Sequence, residues 1–277
     1  MGATVAEAGN DGRQGVRRQS LELRPPLKWA GGKRWLLPHL RPLWEPHSKR
    51  RLVEPLCGGL AVAIGLQPTR ALLNDISPHA CNFYRWLKRG FVITLPMRND
   101  AALYYASRER FNRLIAAGGE QSAEAASLFY YLNRTCYNGL CRFNSRGEFN
   151  VPFGRYSVIN YRSDFSAYRR QFAGWSFVSG DFARARIAHD DFVYADPPYD
   201  VEFTRYAKED FGWDDQVRLA RMLARHRGPV LLSNQGTPRI VELYRKEGFE
   251  LRFFSAPRRI SCMERVPAAE VLAARNL

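Results

Sequence analysis

Short apolar runs closed by turn residues alternate along this chain with longer stretches whose apolar residues recur at helical spacing. Four to eight apolar residues bounded by glycine, proline or an acid read as a buried strand, and the longer periodic stretches read as helices. Strands are expected at Leu52 and Val53, then over Ala71–Asn74, Trp175–Val178, Asp191–Ala195, Gly228–Ser233 and Phe249–Ser255, with Glu270–Ala274 as a last one. Helices are expected over Arg34–Trp44, Leu60–Leu66, His79–Arg89, Leu219–Arg225 and Ile240–Glu247. Strand and helix in repeated succession predict an α/β fold built on a mostly parallel sheet.

The alternation stops between about Asn82 and Trp175, which divides the chain. Residues 1–24 mix Gly, Ala, Arg and Glu and read as a disordered tail; 25–81 and 176–277 carry the sheet; 82–175 read as an insertion. Within the insertion, helical spacing runs over Ala101–Ala117 and Ser122–Leu132. The segment from Asn133 to Gly154 follows, rich in Asn, Arg and aromatics, with turns expected at Asn138-Gly139 and Ser145-Arg146-Gly147. Alternating residues flank the second turn as in a β-hairpin. Asn and Arg can pair with base edges, and aromatic side chains can stack or wedge between bases; a polar surface hairpin would look the same.

Charge favours the first reading. The 277 residues carry a formal net charge of +15, with lysine only at 28, 33, 49, 88, 208 and 246, so arginine supplies most of the excess. A surplus of this size points to a polyanionic partner, nucleic acid above others, although a merely basic soluble surface would carry the same charge. No apolar run reaches the eighteen or so residues of a membrane span, and the first residues lack the apolar core of a signal peptide, so no membrane partner is expected. Cys57, Cys81, Cys136, Cys141 and Cys262 form an odd set without Cys-x-x-Cys spacing, as expected of reduced thiols in the cytoplasm. The histidines are scattered, and no metal is expected.

Two glycine-containing turns can bring a ligand close to the backbone. One is Lys28-Trp29-Ala30-Gly31-Gly32-Lys33, where a flat ring and a cation flank two glycines; a simple helix-entry turn reads the same. The other is Glu54-Pro55-Leu56-Cys57-Gly58-Gly59, between a strand and a helix, where a cofactor can meet a helix N-terminus. Asp75 ends the next strand about twenty residues on, near the spacing of an acid that takes ribose hydroxyls. Asp75 also suits the N-cap of the helix behind it, and both roles can hold.

The strand over Asp191–Ala195 runs into Asp196-Pro197-Pro198-Tyr199. Proline cannot continue a central strand, so a stiff loop is expected at the strand's C-terminal end. An exocyclic adenine amino group is a poor nucleophile because its lone pair is delocalised into the ring. A carboxylate (Asp196) and a fixed carbonyl (Pro197) accepting its two hydrogens would localise that pair and favour the charge developing on nitrogen. The prolines hold both acceptors with little reorganisation, and Tyr199 offers a face for a flipped base.

Taken together, these blocks resemble the DNA adenine methyltransferases, the Dam-type N6-adenine enzymes of the α group. The resemblance rests on Lys28–Lys33, Glu54-Pro55 with Gly58, Asp75, the segment from Leu132 to Tyr156, and Asp196–Tyr199, in that order. It implies a Rossmann-like methyltransferase fold with a mixed, mostly parallel seven-stranded sheet and an inserted, mainly helical recognition subdomain carrying a β-hairpin. S-adenosylmethionine is the implied cofactor, touched by Trp29, Lys33, Asp75 and Asp196. Ala30, Gly31, Gly32, Glu54, Pro55 and Gly58 would shape its pocket, with Asp181 near its adenine. Tyr137, Asn138, Leu140, Arg142 and Pro152 align with residues that contact bases or fill the space of the flipped adenine, Lys28 is a further DNA contact, and GATC is the implied target. Leu60 and Cys136 depart from the family pattern, each standing where glycine is usual. A nucleoid-associated monomer, paired or not with a cognate restriction endonuclease, is expected.

Rival readings keep the fold and change the substrate. Related tetrapeptides serve cytosine N4 and RNA, and a catalytically weak or inactive DNA-binding protein would keep the same hairpin. Asp rather than Ser at 196 favours adenine, and the intact tetrapeptide favours turnover. A cytosine C5 enzyme needs a nucleophilic cysteine after proline, and none of the five cysteines follows one.

Overall fold

The computed structural model describes residues 23–200, 211–256 and 268–277. The expected tail falls outside these, apart from residues 23 and 24. Helix α1 (Leu37–Trp44) leads to β1 (Leu52–Glu54), α2 (Ala61–Leu66), β2 (Ala71–Asp75) and α3 (Pro78–Arg89). Three helices follow, α4 (Ala101–Ala116), α5 (Ala123–Thr135) and α6 (Ser166–Gln171). The sheet then resumes with β3 (Trp175–Ser179), β4 (Phe192–Ala195), α7 (Trp213–Ala224), β5 (Val230–Gln235), α8 (Pro238–Lys246), β6 (Glu250–Ala256) and β7 (Ala268–Arg275).

The seven strands lie in the order β3-β2-β1-β4-β5-β7-β6. The first five pair in parallel, and β7 runs antiparallel between β5 and β6. This is the expected mixed, mostly parallel sheet of a Rossmann-like methyltransferase fold. The chain builds outward from β1 to β3 and then returns to add β4 on the other side of β1. That reversal opens a crevice beyond the carboxyl ends of β1 and β4, where such sheets take ligands. Glu54 ends β1, and Asp196 follows β4.

Both faces of the sheet are covered, which is why β4 reads as an unbroken apolar run. All four of its residues are buried. Phe192 and Tyr194 enter the aromatic-rich core with Phe83, Tyr84, Phe172 and Trp175. Val193 and Ala195 point the other way, into the layer of Leu219, Leu223, Ile240 and Leu243.

Helix α3 is N-capped by Ser77, whose hydroxyl accepts from Ala80 N at 3.3 Å, and it runs without a break to Arg89. It lies on β3, with Arg85 Nε donating to Phe177 O at 3.0 Å. The insertion boundary expected at 82 therefore falls inside a helix that serves the sheet. Helix α5 runs to Thr135, three residues past the expected Leu132. Asn and Thr are weak helix formers, but here tertiary bonds decide. Asn133 clamps the backbone of Lys28, accepting from its N at 2.8 Å and donating to its O at 2.9 Å.

The hairpin turn is present, but its ladder is short. Asn144 Oδ1 accepts from Arg146 N at 3.0 Å and Glu148 N at 2.9 Å, an Asx-type turn, and pairing stops at the single bridge Phe143–Phe149.

Leu60 sits in the left-handed region at φ 64°, with its side chain fully buried. The loop thus keeps the backbone shape that glycine would take, while leucine fills the core. Relieving the backbone with glycine recovers about 1 kcal/mol. Emptying a buried leucine site costs roughly 2–5 kcal/mol. Leu60→Gly is therefore expected to lower stability by about 1–4 kcal/mol in chemical denaturation, and a variant more stable than the parent would contradict this. Cys136 needs no glycine, because its φ of −76° and ψ of 162° are ordinary extended backbone. The bend comes two residues later, where Asn138 has φ 52° and Gly139 φ 64°.

Candidate active site

The crevice is built from three strand ends. After β1, Gly58 turns the chain with φ 46°, and Trp29 lies directly on the turn. A Cβ on Gly58 would come within 2.7 Å of Trp29 Nε1, so only glycine allows this approach. After β2, Asp75 Oδ2 accepts from Gly58 N at 2.8 Å, and its Oδ1 accepts from Ser77 N at 2.9 Å. Asp75 therefore pins the glycine loop, while Ser77 supplies the N-cap. Ala30, Gly31 and Gly32 are exposed above the crevice, and the Lys33 side chain turns down into it.

After β4 comes the proline loop. Asp196 Oδ1 accepts from Lys33 Nζ at 2.7 Å and from the Ser233 hydroxyl at 3.0 Å. Among the described residues both bonds land on Oδ1 and none on Oδ2. The Asp196 side chain keeps 22% of its surface open, against 3% for Lys33. Gln216 Nε2 donates to Pro198 O at 2.8 Å, and Asn234 Nδ2 holds Gln216 Oε1 at 3.0 Å. The loop is thus pegged to α7 and β5 from behind. Tyr199 donates its hydroxyl to Glu270 Oε2 on β7 at 2.6 Å.

Two carboxylates, Asp196 at 2.7 Å and Glu270 at 3.6 Å, face the ammonium of Lys33, and a third, Glu54, lies within electrostatic reach of Asp196. Burial alone would lower the Lys33 pKa, but Asp196 and Glu270 together outweigh it and raise it. Burial pushes the Glu270 carboxyl up to about 7, with Lys33 pulling the other way. Glu54 is held well above the usual carboxylate range by burial and by Asp196, and its Oε1 has no partner among the described residues. An acceptor-rich pocket of this kind fits a ligand bearing positive charge.

The sequence profile of the D12 class N6 adenine-specific DNA methyltransferases matches residues 29–255. The chain belongs to this family. It is 37% identical over 257 residues to the DNA N-6-adenine-methyltransferase of Escherichia phage P1, covering 86% of this chain and 33% of that protein's length. It is 37% identical over 259 residues to the DNA adenine methylase of Vibrio cholerae, covering 85% of this chain and 89% of the relative. The type II methyltransferase M1.LlaDCHI of Lactococcus lactis is 34% identical, with 83% and 87% covered. The protein is an adenine-specific DNA methyltransferase.

Within the methyltransferase, Lys33 and Glu54 both meet Asp196 in the crevice, and Trp29 and Asp75 both meet the Gly58 loop beside it. Asp181 stands apart from them in its bonding. Its carboxylate is held by both terminal nitrogens of Arg218, at 2.8 and 2.6 Å, which keeps it well ionised. Pro55 O accepts from Asn74 Nδ2 at 2.8 Å. Tyr137, Asn138, Leu140, Arg142 and Pro152 are all exposed on one segment after α5. Lys28 is less free, since its Nζ donates to Arg134 O at 3.0 Å and sits 3.8 Å from the Tyr156 ring centroid. Gly139 packs on it so closely that a Cβ there would come within 2.4 Å of Lys28 Cβ.

Sequence reasoning missed Ser233, Gln216, Arg218 and Glu270, none of which stands in a recognisable motif. Ile76 was also missed, although its place gave a signal. It follows Asp75 directly and is 62% exposed at the sheet's carboxyl edge.

Proposed function

We propose that this methyltransferase moves the methyl group of S-adenosylmethionine to the N6 amino group of an adenine swung out of double-stranded DNA, in the sequence GATC. The observation that carries the reading is Asp196, fixed through Oδ1 by Lys33 and Ser233 and open at Oδ2, on a loop stiffened by two prolines.

The residues present fit the cofactor. Glu54 Oε1 is buried without a partner among the described residues, an acceptor suited to the ammonium of an amino-acid moiety. Lys33 offers a cation to a carboxylate, Asp75 retains lone pairs for ribose hydroxyls, and exposed Ile76 offers an apolar surface to the adenine. S-adenosylmethionine supplies the methyl group on a positively charged sulfur. Trp29, Gly58 and the exposed Ala30-Gly31-Gly32 stretch would line the same cavity. Asp181, clamped by Arg218, would present a fixed acceptor at its outer end.

Asp196 Oδ2 and the Pro197 carbonyl accept the two hydrogens of the target amino group. That draws the lone pair out of the ring and favours the charge that forms on nitrogen. Asp196 is also placed to take the proton this nitrogen must shed. Tyr199 stacks against the extruded base, and the prolines keep the geometry ready before substrate arrives. Tyr137, Asn138, Leu140, Arg142 and Pro152 read bases or fill the gap left by the adenine, and Lys28 supports the backbone contact. GATC rests on the match of this segment to the family's base-contacting positions. A companion nuclease is part of the same reading, since one relative is named a type II methyltransferase.

Incubation with methyl-labelled S-adenosylmethionine and unmethylated plasmid, followed by base-resolved mapping, tests the reading. Label on adenine N6 within GATC is expected. Label on cytosine, or on RNA alone, would overturn it.

A further inference from the structure

The proline loop leaves the sheet after β4, and its tyrosine reaches across to β7. There the Tyr199 hydroxyl donates to Glu270 Oε2 at 2.6 Å. Glu270 Oε1 lies 3.6 Å from Lys33 Nζ, and that nitrogen is 2.7 Å from Asp196 Oδ1 and 4.6 Å from the Tyr199 ring centroid. Asp196, Lys33, Glu270 and Tyr199 thus form a closed ring across the crevice floor. Glu270 is 1% exposed, and the next four residues of its strand, Val271 to Ala274, are apolar and buried. Desolvating a carboxylate costs several kcal/mol, and nothing in the pairing of β7 requires one at this register.

We propose that Glu270 is a positioning residue for methyl transfer: through the Tyr199 hydroxyl and Lys33 it fixes the ring on which the base stacks and the ammonium that braces Asp196. The proposal rests on the reading above. A tyrosine ring turns about two soft torsions, and a hydrogen bond at its far end is the efficient way to stop both. Misplacing a reacting partner by about 1 Å can cost 10²-fold in rate, so a tether on the stacking face acts on the chemical step.

The charged and titratable groups around Glu270 come from several elements. Lys33 approaches from the turn before α1, and Asp196 and Tyr199 from the loop after β4. Tyr194 of β4 and Tyr244 of α8 lie within its electrostatic reach, and Glu54 of β1 acts on the same cluster through Asp196. Burial pushes Glu270 up to about 7. Above that pH it is a carboxylate that accepts fully from Tyr199 and draws Lys33. Below it the acid is neutral, and the ring loosens. The rate of the chemical step is therefore expected to rise with pH through about 7 in the parent.

Single-turnover methylation of a plasmid with labelled S-adenosylmethionine, measured from pH 5.5 to 9, tests this in Glu270→Gln, Glu270→Ala, Tyr199→Phe and the double variant Glu270→Ala/Tyr199→Phe. Glu270→Gln is expected to lose the step near neutrality. Glu270→Ala and Tyr199→Phe are each expected to slow the chemical step about tenfold, with cofactor affinity within about threefold, and the double variant to be no slower than the worse single. A Gln variant that keeps the parent's pH profile, or single losses that multiply in the double variant, would overturn the proposal. Should Glu270→Ala not fold, Glu270→Gln keeps the volume and one acceptor, and its pH profile decides alone. A parent that methylates no adenine would sink the functional reading instead, so the two failures are distinct.

Discussion

Asp196→Ala is expected to slow methyl transfer by about 10³-fold or more while DNA affinity stays within a few-fold. Acceptors aimed at developing charge are worth about 10²–10³ each, and positioned proton acceptors about 10²–10⁴. In the proposed mechanism Asp196 serves as both. DNA affinity is expected to be spared because the exposed side chains proposed to read bases stand on the segment after α5, on another part of the chain. Asp196→Asn separates charge from shape. Its amide must present Nδ2 either to Lys33 and Ser233 or to the adenine hydrogens, and an acceptor is needed at both places. Its rate is therefore expected to fall well below that of the parent. Label incorporation into plasmid gives the rate, and filter binding gives the affinity. A melting curve guards against a trivial loss, since the alanine leaves buried Lys33 facing Glu270 alone. Methylation by the alanine variant at the parent's rate would remove Asp196 from the mechanism.

The parts of this site that were legible in the sequence are those whose local pattern admits one structure. Phe192 to Ala195 followed by two prolines can hardly be anything but a buried strand ending in a stiff loop. Gly58 announces a turn because its positive φ and the Trp29 ring above it exclude a side chain. Asp75 suited both an N-cap and a ligand acid; in the fold Ser77 takes the cap and Asp75 holds the glycine loop through Gly58 N, a contact no local pattern announces. Leu60 shows the opposite case. Nothing local tells that a leucine takes the left-handed conformation, because its neighbours and its burial impose it. Strand β7 is poorly marked locally, because Ala-Ala-Glu-Val-Leu-Ala-Ala is also a good helix sequence. Its identity comes from pairing on both sides, with β5 and β6. Glu270 was hidden for the same reason, since a lone glutamate in an alanine-rich run looks like a solvated face. Ser233 and Gln216 are ordinary polar residues until the sheet brings them beneath the proline loop.

Arg142→Ala is expected to cost about 1–3 kcal/mol of discrimination at one guanine, a factor of roughly 5–150 between cognate and substituted sites. Arg142 is exposed, and its Nε donates to Asn150 Oδ1 at 2.9 Å. That bond uses Nε, the one nitrogen that a bidentate contact to guanine O6 and N7 through the two terminal nitrogens can spare. Asn150 is held in turn by its backbone N donating to Arg142 O at 3.2 Å, so the pair is braced by the short ladder beneath it. Asn150→Ala is expected to act in the same direction with a smaller effect, since it frees the guanidinium without deleting it. Affinity for unrelated DNA should change little, because that term comes from the many other cations of a chain with net charge +15. Methylation rates across a panel of sites, each differing from GATC by one base pair, separate the two quantities. A parent and an Arg142→Ala variant that rank the panel identically would mean that another residue reads the guanine.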